Sequence, residues 1–99
     1  MRRKELEDRI VENYRNEERM MILAFAQWSI NRGLDPQALY EKAYPGQRGN
    51  PELLAALELT VPKEEAGEIA DETVLNLLSA FGNDDLAFVV SQAIQSRRK

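Results

Sequence analysis

The chain has 99 residues, of which 43% are hydrophobic and 30% charged, with a formal net charge of −4; that is the size and composition of one globular domain able to bury a core unaided, and not of a disordered segment. It contains neither cysteine nor histidine, which excludes disulfides, thiolate nucleophiles, Cys- or His-based metal sites and every Ser-His or Cys-His catalytic arrangement. Any chemistry would have to run on carboxylates, Lys, Tyr or Ser.

In chain order, the pattern predicts a helix over about residues 4 to 32 whose centre, Met20 to Ile30, reads MMILAFAQWSI. Projected at about 100° per residue, Trp28, Met21 and Phe25 lie on one side, Ile22 and Ala26 next to them, and Ile30 and Leu23 opposite. A helix that is apolar all round is buried. Eleven residues are too few to span a bilayer, which takes about 20, so this stretch is expected to form the core around which the rest packs. Upstream, Leu6, Ile10 and Tyr14 recur at every fourth position, and Tyr14, Met21 and Trp28, spaced by seven, carry the stripe onward. Arg15 to Arg19 interrupt it with polar residues and place Glu17 on the seam. Residues 1–19 are therefore expected to be only partly covered, as a charged helical extension of the domain. Pairing between subunits would cover such a narrow seam, and so would the last helix of the same chain.

Gly33 is expected to end this helix in the left-handed conformation, and Asp35 with Pro36 to start a second running to about Ala43. That helix buries Leu39, with Leu34 at its entrance, and offers Tyr40 and Tyr44 one turn apart. A loop, YPGQRGN, follows. Asn50 and Pro51 repeat the start signal for a third helix to about Leu59, with Leu53, Leu54 and Leu57 inward, although LELTV alternates and leaves an extended stretch open across residues 57 to 61. Thr60 and Pro62 are expected to begin a fourth helix reaching Phe81, its apolar arc formed by Ala66, Ala70, Val74, Leu77, Leu78 and Phe81. Gly67 within it disfavours helix by about 1 kcal/mol against Ala, which points either to a close crossing or to a break near Asp71. Gly82 and Asn83 separate a fifth helix, to about Ser96, that buries Leu86, Val89, Val90 and Ala93, turns Phe88 outward and ends in basic residues suited to a carbonyl end. The expected fold is thus all-α: one domain over residues 1–99, a compact bundle of about five helices around a long N-terminal helix.

Charge is distributed unevenly. Arg2, Arg3 and Lys4 open the chain and Arg97, Arg98 and Lys99 close it, while from Glu52 to Asp85 nine acids face the single base Lys63. Such a body repels a phosphate backbone over most of its surface. MRRKELEDR is not followed by the apolar run of a secretory signal, so a cytoplasmic protein with no membrane association is expected.

Three functional readings follow. FAQWSINRGLDPQALYEKAY has the outline of a helix-turn-helix, which would read bases through Gln37, Tyr40 and Glu41 early in the second helix. With Asp35 beside them and only Arg32 and Lys42 positive nearby, that surface is nearly neutral, and fold analogy is the only support. In the expected fourth helix, Glu65, Glu68 and Glu72 share a quadrant, and Glu68 with Asp71 forms an E-x-x-D pair. Over those four residues the chain resembles the helical nucleotide pyrophosphatases of the MazG kind. The resemblance implies magnesium-dependent nucleotide pyrophosphohydrolysis with the ion between carboxylates of two helices, and it requires a facing pair, for which Glu5 and Asp8 are the candidates. A solvated acidic face accounts for the same residues more plainly. The third reading, and the one adopted, is a small non-catalytic cytoplasmic protein with no cofactor or metal, acting through protein contacts. Its expected partners are a second copy, joined through Leu6, Ile10 and Tyr14, and another protein met by Tyr40, Tyr44 and Arg48, since Tyr and Arg commonly anchor interfaces.

Overall fold

Met21, Ile22, Phe25, Ala26, Trp28 and Ser29 are buried along one side of the first helix, and the next three helices pack over it. The computed structural model describes the backbone of residues 3–97 and the side chains of residues 17–97. Among the described residues there are five helices, α1 (Arg3–Asn31), α2 (Pro36–Ala43), α3 (Pro51–Leu59), α4 (Asp71–Ala80) and α5 (Asp84–Arg97), and no strand. Helices α2, α3 and α4 pack on α1, and α5 closes the globule against α2 and α4. Leu39, Leu53, Ala56, Val74, Leu78, Leu86, Val89 and Val90 complete the core. The one buried polar side chain among the described residues, Ser29, donates its hydroxyl to the Phe25 carbonyl at 2.9 Å, so it enters the core satisfied.

The local signals that delimit the helices operate as expected. Gly33 has φ +71°, and past it the Leu34 amide returns to the Ser29 carbonyl at 2.8 Å, a Schellman closure of α1. Gly82, φ +74°, closes α4 the same way through Asn83 and the Leu78 carbonyl. The Asp35 carboxylate accepts the Gln37 amide at 3.0 Å, and the Asn50 side chain accepts the amides of Glu52 and Leu53, each cap standing before a proline in the first turn.

Three expectations are corrected. Residues 61–70 are not helical: a single turn forms, in which the amides of Glu65 and Ala66 reach Pro62 and Lys63, and α4 begins at Asp71. Of the two alternatives that Gly67 raised, the interruption near Asp71 is the one that occurs, but no helix precedes it, and Ala66 and Ala70 are not part of a helical arc. Its cause lies across the fold. Gln27 both donates to the Val61 carbonyl (2.9 Å) and accepts the Val61 amide (3.0 Å), Asn31 donates to the Gly67 carbonyl, and Arg32 to the Ile69 carbonyl. Side chains of α1 and its C-terminal turn thus supply the partners that a helix would have supplied internally. Second, Leu54 is 41% exposed and Ala56 takes the inward position on α3. Third, α1 is not buried all round its centre, since Met20 is 68% exposed and Leu23 and Ile30 are half-buried. The alternating LELTV stretch stays helical through Leu59 and turns extended at Thr60. Phe88 points to solvent, 64% exposed, as its place opposite the α5 core face requires. Arg97, in the last turn of α5, donates to the carbonyl of Arg32, just past the end of α1.

The side chains of Leu6, Ile10 and Tyr14, and of the extension up to Asn16, lie outside the described residues. Glu17 is exposed.

Candidate functional site

The tyrosines and Arg48 occupy the α2 side of the molecule. Tyr40 and Tyr44 are in edge-to-face contact, centroids 5.1 Å apart, and Tyr40 leans on Phe25 at 6.4 Å. The Tyr44 hydroxyl donates to Asn83 at 2.8 Å, and the Asn83 amide group in turn reaches the Met21 sulfur. Burial pushes both phenols above their ordinary value, reinforced at Tyr40 by Glu52 and Glu18 and at Tyr44 by Tyr40 and Asp85. Arg48 pairs with Asp35 and with Glu41, each at 3.3 Å, and its carbonyl accepts from Gln37. These interactions fasten the loop to α2. The residues that would read bases in a helix-turn-helix are thus occupied: Gln37 and Glu41 hold Arg48, and Tyr40 packs into the aromatic cluster.

The acidic residues do not share a helix face. Glu64, Glu65 and Glu68 stand on the turn stretch before α4, and Asp71 is the first residue of α4. Asp71 accepts the Trp28 indole N–H at 2.9 Å and an Arg32 N–H at 3.1 Å, while Glu68, its side chain 82% exposed, stands 3.9 Å from Arg32. The E-x-x-D pair on one helix is therefore absent, because Asp71 is engaged as the anchor of the buried indole and Glu68 precedes the helix. Among the described residues no group of three or more acidic side chains converges as a metal ion would need.

What the sequence reading missed is an apolar surface on the side of α1 away from the core. Met20 and Leu59 are each 68% exposed and Val61 is 40% exposed. With Leu23, Ala66 and Ile69 they border a groove of about 370 Å³ between α1 and the 61–70 stretch. A second groove of about 310 Å³, bordered by Arg19, Leu23, Ala55 and Leu59, adjoins it over α3. These large apolar side chains are gathered at one surface and not scattered singly. One signal in the sequence pointed there: Met20 lies fourteen positions, two heptads, beyond Leu6, so the upstream apolar stripe continues into Met20 and not only into Met21.

A family model described as YxiS matches residues 2–95. The chain is also similar to "Uncharacterized protein YxiS" of Bacillus subtilis (strain 168), 48% identical over 94 residues that cover 94% of this chain and 98% of the relative. No solved structure matches it. No helix among the described residues is long and apolar enough to cross a membrane.

Proposed function

We propose that this chain, which belongs to the YxiS family, is a small non-catalytic interaction protein of the cytoplasm that associates with itself through α1. The observation that carries this reading is the cluster of Met20, Leu59 and Val61 at the surface, apolar area whose removal from water drives association. Two features support it. The sequence repeats apolar residues at Leu6 and Ile10 on the same helix, Leu6 standing two heptads before Met20. The lack of histidine and cysteine and the structural employment of Asp71 and Arg48 favour a contact role over catalysis. Tyr40, Tyr44 and Arg48 hold α2 and its loop in place, and a second protein would meet whatever of that surface they leave exposed.

The test is solution mass by light scattering after gel filtration, over a range of concentrations. A mass of twice 11.3 kDa is expected, falling to one chain for Ile10→Asp with helix content retained. A strict monomer at all concentrations, or an Ile10→Asp variant that loses its fold, would sink the reading. Trp28→Ala is the contrasting control: truncating a buried aromatic costs about 3–5 kcal/mol and should unfold the protein.

A further inference from the structure

We propose that the groove bordered by Met20, Leu59 and Val61 receives the first turns of α1 from a second copy lying antiparallel, with Arg2, Arg3 and Lys4 of that copy reaching the acidic 64–68 stretch. This rests on the self-association reading and adds its geometry. Heptad steps from Leu6 lead to Asn13, Met20 and Gln27, and from Ile10 to Glu17, Ala24 and Asn31. Those adjacent rows form the seam of a paired helix. Tyr14, by contrast, steps to Met21 and Trp28, which are 2% and 1% exposed, so its row runs into the core. The Leu6 and Ile10 rows emerge on the outward side of α1, where Met20 is exposed and Ala24 half-buried.

A two-fold interface must be complementary to itself. If Ile10 faces Met20 of the second copy, antiparallel register sets Leu6 against Ala24 and Asn13 against Glu17, so every layer joins one row to the other. It also sets Arg3 against Gln27, the residue whose side chain holds Val61. The basic start of each chain then lies beside Glu64, Glu65 and Glu68 of the other, all exposed. Parallel pairing would bring like charges together at both ends, which is unfavourable. Charge therefore selects the antiparallel arrangement, and polar Asn13 and Glu17 at its centre define the register.

Because the natural chain has no cysteine, introduced thiols report this geometry directly. Within one helix, positions ten apart are separated by about 15 Å, beyond the roughly 7 Å limit of a disulfide. The full-length Ile10→Cys/Met20→Cys variant is expected to oxidise to a covalent dimer, each single variant remaining largely uncrosslinked. In parallel, Glu64→Lys with Glu65→Lys should weaken the dimer by about ten-fold, and adding Arg3→Glu with Lys4→Glu should restore it. Efficient crosslinking of Ile10→Cys to itself, or a dimer that withstands both Met20→Lys and the charge reversal while Ile10→Asp still breaks it, would overturn the antiparallel groove and leave self-association standing. A monomeric natural chain would remove both.

Discussion

At the scale of residues, Trp28, Arg32 and Asp71 show how a carboxylate with a catalytic look can be structural. The indole is 1% exposed, and its N–H needs an acceptor at the point where α4 begins. Asp71 supplies it and simultaneously binds Arg32. Asp71→Ala should therefore destabilise the fold by about 1–3 kcal/mol, the cost of a buried donor left unpaired, whereas Glu68→Ala should stay within about 0.5 kcal/mol because its partner is 3.9 Å away at an exposed position. Urea unfolding of the two variants gives the comparison. Tyr40 and Tyr44 carry a pH dependence of definite sign. Both phenols are raised above their ordinary 10.0, so above that pH the unfolded chain loses protons first and stability falls as pH rises. Below it these two groups contribute no slope. Stability measured across the alkaline range should decline once pH passes 10.0, and Tyr40→Phe should flatten the decline.

At the scale of elements, legibility followed the distance over which a signal acts. The caps Asp35 and Asn50 and the closing Gly33 and Gly82 work within a few residues of themselves, and the boundaries of α2, α3 and α5 could be placed from them. The stretch before α4 could not, because its conformation is decided by Gln27, Asn31 and Arg32, 34 to 37 positions away. Pro62 and the following acids look like a helix start, and only Gly67 hinted otherwise. Leu54 was misplaced for a related reason: a short leucine-rich helix presents several nearly equivalent faces, and it is the packing of α3 on α1 that turns Leu53 and Ala56 inward. The contrast between two glycines makes the point measurable. Gly33 sits at φ +71°, where Ala is strained, and Gly33→Ala should cost about 1 kcal/mol or more. At Gly67 a methyl group would meet nothing within 4 Å, and the backbone there makes no such demand. Gly67→Ala should be neutral or stabilise by about 0.4–1 kcal/mol through the unfolded chain. Thermal midpoints that rank the two the other way would contradict an open, non-helical 61–70 stretch.

For the whole molecule, an all-helical fold built on the Met21–Ser29 core was readable from hydrophobic period alone, because burial on that scale is set by pattern more than by any single contact. The surface at Met20, Leu59 and Val61 was not, since Met20 on α1 is brought beside Leu59 and Val61, about 40 positions later, only by the fold. If a second copy covers that surface, association stabilises the folded state by mass action, and stability must depend on protein concentration. Each ten-fold rise in concentration then adds about 1.4 kcal/mol per mole of dimer, so the thermal midpoint of the natural chain should climb steadily as it is concentrated. Ile10→Asp and Met20→Lys should share a lower, concentration-independent midpoint. Asp71→Ala acts inside each globule and should lower the midpoint while leaving its concentration dependence intact. A natural chain whose midpoint does not move with concentration would mean that the folded unit is the monomer, and that the exposed apolar surface is kept for a different protein.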